Sequence, residues 1–160
     1  MKLSPELKFD TPKAWAEAVM NDFDSFLQDH ADCERKASAM AMSLVYKCPD
    51  KVKIIPMLIE TALEEMEHFK QVYDVMHERG IQLKHETEKD PYIEALMKLL
   101  RTPSKQRLLD RFLLASIIEC RGTERFRMVD PKEEVYTRLD ELVTAEAEIC
   151  SRLPIRAALN

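Results

Sequence analysis

Glycine is scarce, with only 2 residues beside 8 prolines, and no stretch of the chain argues for a sheet. Charged residues make up 33 %, and alanine, leucine, glutamate and methionine recur at helical spacing, so the composition favours an all-α protein. No apolar run approaches the roughly 20 residues that a membrane span needs, and the opening MKLSPELKFD lacks the apolar centre of a signal peptide. The chain is therefore read as soluble and cytoplasmic, with no membrane partner. Cys33, Cys48, Cys120 and Cys150 are scattered without a C-x-x-C pair, which excludes a sulfur-rich knuckle and suits reduced thiols. A formal net charge of -5 does not advertise nucleic-acid binding. Internal repeats and low-complexity segments are missing too, and 160 residues fit one domain, 1–160, with a real core.

What is present is punctuation. Thr11-Pro12, Asp90-Pro91, Thr102-Pro103 and Asp130-Pro131 each place a side-chain oxygen where a helix cap stands and a proline at the first helical position. A missing N–H costs nothing there. The expected helices run from about Pro12 to Lys47, Lys51 to Arg79 (ended by Gly80), Pro91 to Leu100, Pro103 to Val129 and Pro131 to Leu153. Long helices joined by short loops indicate an antiparallel bundle.

Three of these helices turn a carboxylate toward the side that ought to be buried. In the first, Phe23, Leu27, Ala31, Ala37, Ala41 and Leu44 share a face with Glu34. In the second, Leu58, Ala62, Phe69, Val72 and Met76 are interrupted by Glu65 and His68, which three-residue spacing puts side by side. In the fourth, Leu108, Phe112, Ala115 and Phe126 flank Glu119. One inward glutamate is commonly a salt-bridged residue or an error of register. Unpaired in a core, it must be neutralised or meet a cation. Glu34, the Glu65-x-x-His68 pair and Glu119 together match the ligand layout of ferritin-like di-metal bundles, and such oxygen and imidazole ligands suit iron, manganese or zinc. His30 lies four residues before Glu34 and could lean toward the same site. His77 and His85 are weaker candidates, and Glu64, Glu67 and Glu78 read as a solvated face.

The stretches DHADCERKASAMAMSLVYK, ALEEMEHFKQVYDVMHERGI and LLASIIECRGTERF resemble the tRNA hydroxylases that act on 2-methylthio-isopentenyl-adenosine, the MiaE-type enzymes. The likeness extends over most of residues 10 to 126. It implies a ferritin-like antiparallel four-helix bundle with extra helices and two iron ions. It also implies dioxygen as co-substrate, an external electron donor delivered by a reductase, and hydroxylation of the isopentenyl side chain beside the anticodon of tRNA. By that resemblance Glu34, Glu65, His68 and Glu119 are iron ligands and act in catalysis through the metal. Small residues near them, Ala37, Ala41, Ala115 and Gly122, leave space for a prenyl tail or simply let helices pack. Arg101, Lys105, Arg107 and Arg111, with Arg121, Arg125 and Arg127 further on, are the candidates for phosphate contact.

The chain also departs from the family pattern, which has a second Glu-x-x-His motif after the segment ending near Phe126. No histidine follows His85 here. The last stretch, DPKEEVYTRLDELVTAEAEI, resembles the family's C-terminal helix, so the expectation is that some three to four dozen residues of the pattern, and with them one bundle helix, are absent between about Phe126 and Asp130. In the rival account the last helix closes the bundle with Glu146 inward and Ile149 where a histidine would stand. Two other functions fit a bundle of this kind: an iron-oxidising or peroxide-consuming ferritin-like protein, and a metal-free helical binding bundle that has lost activity.

Overall fold

In the computed structural model, residues 7–85, 91–102 and 104–129 are described. They form five helices and no strand: α1 (Lys13–Asn21), α2 (Phe23–Lys47), α3 (Ile55–Glu78), α4 (Pro91–Met97) and α5 (Ser104–Phe126). The helix expected from Pro131, with Glu146 and Ile149 on it, lies outside the described residues, as do Asp90 and Pro103. By contacts the chain divides into two compact units, one Glu17–Thr87, the other Met1–Ala16 together with Glu88–Asn160.

The first unit is built on the α2–α3 pair. The single long helix expected from Pro12 to Lys47 is broken at Asp22. That residue leaves helical geometry, and its carboxylate accepts from the Ser25 N–H at 3.2 Å, capping α2. A short polar side chain competes for the backbone donors in this way, and Asn21-Asp22 supplies no apolar residue to resist it. α3 begins at Ile55 rather than Lys51, after a turn in which the Ile54 N–H donates to the Lys51 carbonyl at 2.9 Å. Pro56 sits in its first turn, where the ring excludes a helical residue four positions earlier. α3 ends as expected at Gly80, which adopts φ +71, a conformation costly for any residue with a Cβ. The Ile81 N–H then reaches the Met76 carbonyl at 2.8 Å and the Gly80 N–H that of His77 at 3.1 Å, satisfying two orphan carbonyls.

Leu27, Ala31, Ala41 and Leu44 of α2 and Leu58, Ala62, Val72, Val75 and Met76 of α3 are buried. Burying a side chain the size of Leu27 or Met76 contributes about 1.5–3 kcal/mol. Leu27→Ala would remove about 2–5 kcal/mol, the loss growing with the cavity left behind. Phe23, Ala37 and Phe69, expected in these stripes, are only half-buried, and Ser38 takes an inner position. Its hydroxyl donates to the Ala62 carbonyl at 2.7 Å, joining the two helices at close range. At the far end of the pair, Arg79 reaches Asp24 at 3.2 Å and lies over the Phe23 ring at 5.4 Å. The Gln28 side-chain amide donates to the Gln82 carbonyl at 2.7 Å.

In the second unit, α5 buries Leu108, Phe112, Ser116 and Thr123, with Val129 just beyond its end. Thr11, expected to cap the helix that follows it, does something else. Its backbone N–H and its hydroxyl donate to the two oxygens of Glu124, at 2.6 and 2.7 Å. Arg121 donates to the same carboxylate at 2.5 Å, to the Thr11 hydroxyl at 3.2 Å and to the Phe9 carbonyl at 2.9 Å. α4 stops at Met97, short of the expected Leu100, and gives way to turns. Past them the Asp110 carboxylate accepts from the Arg101 backbone N–H at 2.8 Å and from its guanidinium at 2.6 Å.

Candidate metal centre

α2 and α3 each deliver polar groups to the middle of their shared face. Glu34 is 5 % exposed, Glu65 3 % and His68 4 %, as deeply buried as the leucines around them. Glu65 and His68 are one helical turn apart, so both side chains project from the same side of α3. His68 Nδ1 stands 3.6 Å from Glu34 Oε2 and 3.6 Å from Glu65 Oε2. Both separations exceed a hydrogen bond, and Nδ1 is buried with no hydrogen-bond partner. One ligand atom from each of the three residues lies within 4.8 Å of the others. An ion bonded at about 2.1 Å holds its ligands up to roughly 4.2 Å apart, so small side-chain rotations would close this set around a metal.

The electrostatics point the same way. Burial pushes the Glu34 carboxyl up to about 7, with the neighbouring Glu65 carboxylate adding to the shift and His68 opposing it. Burial disfavours a charged His68, yet the Glu34 and Glu65 carboxylates outweigh it and hold its pKa above the usual imidazole value. Without a cation the cluster is a frustrated group of two acids and one base. A divalent ion would neutralise both acids and take the unpartnered nitrogen, so the donor set fits a metal of the oxygen-and-imidazole class.

Three of the four expected ligands are thus brought together. Glu119, the fourth, is half-buried on α5 in the other unit, where its carbonyl accepts from the Thr123 hydroxyl at 3.0 Å. His30 does lean inward. It is buried, its Nδ1 lies 3.3 Å from Glu34 Oε1, and the Phe26 ring lies nearly parallel to it at 5.8 Å. Burial, then the charge of His68, lowers its pKa to about 3, which keeps the imidazole neutral. His77 and His85 are exposed. Asp32 escaped the sequence reading. It is buried beside the site's helix turn but is neutralised by Arg35 at 2.6 Å and by Lys36. The run Asp32, Arg35, Lys36 at three- and four-residue spacing was the signal available for it. Among the candidate phosphate contacts, Arg101 and Arg121 are engaged by Asp110 and Glu124, while Arg107 and Arg127 are exposed.

The model of the family described as tRNA-(MS[2]IO[6]A)-hydroxylase (MiaE) matches residues 2–152. The chain belongs to this family. A relative from Pseudomonas putida, named tRNA 2-(methylsulfanyl)-N(6)-isopentenyladenosine(37) hydroxylase, is 36 % identical over 153 residues, covering 92 % of this chain and 74 % of its own length. A protein of the same name from Salmonella typhimurium is 27 % identical over 199 residues, covering 91 % of this chain and 73 % of its own length. That span exceeds the 160 residues of the whole chain, so residues of the Salmonella protein stand opposite gaps in this one. Among solved structures, "Protein 43 with aldehyde deformylating oxygenase activity from Synechococcus" superposes with a TM-score of 0.84 at 31 % identity, covering 90 % of this chain and 73 % of its own. The chain therefore has the ferritin-like fold that its inward carboxylates called for, all-helical among the described residues. Among the described residues, no helix is long and apolar enough to cross a membrane.

Proposed function

We propose that this MiaE-family chain is an oxygen-dependent tRNA hydroxylase, acting on the isopentenyl side chain of 2-methylthio-isopentenyl-adenosine beside the anticodon. The observation that carries the mechanism is the buried Glu34, Glu65 and His68 group, three metal-ligating side chains converging from paired helices with one nitrogen left without a partner. The family resemblance calls for two iron ions. Glu34, Glu65 and His68 would hold the metal, and Glu119 is the further ligand that the resemblance implies. The family's second Glu-x-x-His is not in the sequence. Iron bound there would supply the activation of dioxygen needed to hydroxylate an unactivated C–H bond, with two electrons from an external donor reducing the second oxygen atom to water.

The chain's own residues set the conditions for that chemistry. Glu34 and Glu65 give the site its negative charge, and neighbouring Leu27, Ala31, Ala62 and Val72 exclude water from it. His30 stays neutral and orients the Glu34 carboxylate through Nδ1. The Ser38 hydroxyl on the Ala62 carbonyl keeps α2 and α3 in register one turn from the ligands. Ala37 and Ala41, one and two turns beyond Glu34, keep bulk away from that side and leave room for a prenyl tail.

The test is direct. Reduced, iron-loaded protein is mixed with dioxygen and tRNA carrying the prenylated adenosine, and the nucleosides are weighed; a gain of one oxygen is expected. Metal-loaded protein that oxidises iron and leaves the nucleoside unaltered would instead establish the iron-oxidising alternative. Protein that takes up no metal would establish the metal-free one.

A further inference from the structure

The unit that contains α4 and α5 holds a pocket of about 540 Å³ lined by Asp10, Thr11, Trp15, Tyr92, Arg121 and Arg125 among others. It shares no residue with the Glu34, Glu65 and His68 group. We infer that this pocket is a second RNA subsite, taking a nucleotide other than the one hydroxylated, its base against Trp15 and Tyr92 and its phosphate at Arg125. The inference rests on the tRNA reading above.

The volume falls within the roughly 300–1,000 Å³ of small-ligand sites. Its chemistry is that of single-stranded nucleic-acid recognition, in which aromatic and guanidinium planes stack on bases while a cation meets the backbone. The Arg125 guanidinium lies 5.3 Å from the centre of the Trp15 ring, so one cation and the chain's only indole are presented together. Tyr92 is 42 % exposed and adds a second aromatic wall.

The two arginines of the pocket are in opposite states. Arg121 is spent on the wall, bound to the Phe9 carbonyl, the Thr11 hydroxyl and Glu124. Arg125 has no ion pair among the described residues, and its Nε is buried without a hydrogen-bond partner, a donor that a phosphate oxygen would satisfy. Asp10 selects further. Its carboxylate repels a bare anion yet can accept from the N–H edge of a base, which favours a nucleotide over free phosphate.

Trp15 makes the pocket observable, because all tryptophan emission of the chain comes from it. The full-length protein is titrated with an anticodon stem-loop RNA lacking the prenyl group, so that binding does not depend on the reacting side chain. Saturable change in Trp15 emission is expected, with Arg125→Gln and Tyr92→Leu each weakening RNA affinity roughly tenfold, within the range a stacking contact supplies. The KM for modified tRNA should rise in proportion. Tyr92 sits at the exposed start of α4, so its variant keeps the test open should the Arg125 substitution unfold the protein.

RNA binding seen by anisotropy without any change at Trp15, or wild-type affinity in both variants, would overturn the inference. So would an equal emission change with inorganic phosphate alone. Hydroxylation by the wild-type protein with unaltered KM in both variants would refute the subsite and leave the tRNA activity standing. Failure of the wild-type protein both to bind and to hydroxylate tRNA would remove the two together.

Discussion

Glu34 on α2 and Glu124 on α5 are both drawn away from solvent by their helices, and the protein treats them in opposite ways. Glu124 meets a backbone N–H, a hydroxyl and a guanidinium, and these outweigh burial to hold its carboxyl below the usual range. Glu34 faces another carboxylate and two imidazoles, and burial raises its carboxyl to about 7. The first acid is satisfied by its own chain and serves as a structural tie. The second meets only imidazoles and another acid among the described residues, too little to offset its burial, and an inward acid left in that condition marks the place where something else binds.

The largest effect should come from removing the group that makes the unsatisfied cluster a metal site. His68→Ala should reduce iron content to background, a greater loss than the roughly 10–100-fold seen when only a supporting residue is removed. Metal analysis of purified protein reads it, and full loading of the variant would contradict the ligand assignment. Next in size is the satisfied acid. Glu124→Gln loses charge-assisted bonds to Thr11 and Arg121 and should cost about 1–3 kcal/mol, seen as a lower melting temperature.

The same substitution at Glu34 should act in the opposite direction on metal-free protein. Glu34→Gln removes an ionisable group from an unfavourable environment and should leave stability unchanged or raise it, on the order of 1 kcal/mol, while metal loading is lost. pH separates the two acids further. A carboxyl raised in the folded state contributes stability below its unfolded value of 4.5 that is lost as pH climbs toward about 7. Depression of the Glu124 pKa has the reverse sign: that stability is present above 4.5 and is lost as pH falls through the folded value. Denaturation of metal-free protein across that interval should therefore show less upward-pH loss in Glu34→Gln and less acid loss in Glu124→Gln. If both variants track the wild type, the contrast between the two acids is wrong.

The smallest effect is expected where the partner of a satisfied acid is open to solvent. Asp110 is pushed down to about 2 by Arg101, an exposed partner screened by water. Asp110→Asn should accelerate hydrogen exchange at the Arg101 amide with a change in melting temperature well below that of Glu124→Gln. An equal or larger change would mean that solvent exposure is not what distinguishes these ties.

Much of this was legible in the chain because it is local. Pro91 and Gly80 mark helix ends through their own backbone geometry, and Glu65 and His68 meet because they stand three positions apart on one helix. Glu34 could be matched to them because its apolar neighbours fix the face it occupies. The late start of α3 beside Pro56 was readable in principle, but no capping side chain precedes that proline to draw notice. The break at Asp22 turns on a near balance between capping and continuing a helix. The role of Thr11 was beyond reach: its partner Glu124 is 113 positions away, and a threonine before a proline otherwise looks like a cap. Sequence spacing finds groups that share a helix face and misses those that only tertiary folding joins.

The fastening of the α2–α3 pair has a consequence for time rather than for affinity. Arg79 on Asp24 and Gln28 on Gln82 bind one end, the turn around Lys51 and Ile54 closes the other, and Glu34, Glu65 and His68 lie between. Helix ends fray easily, but fraying from either end stops short of these ligands. An ion held there would then escape only as fast as the whole hairpin parts, so its residence would be governed by a rare collective opening and would survive chelators that strip exposed sites at once.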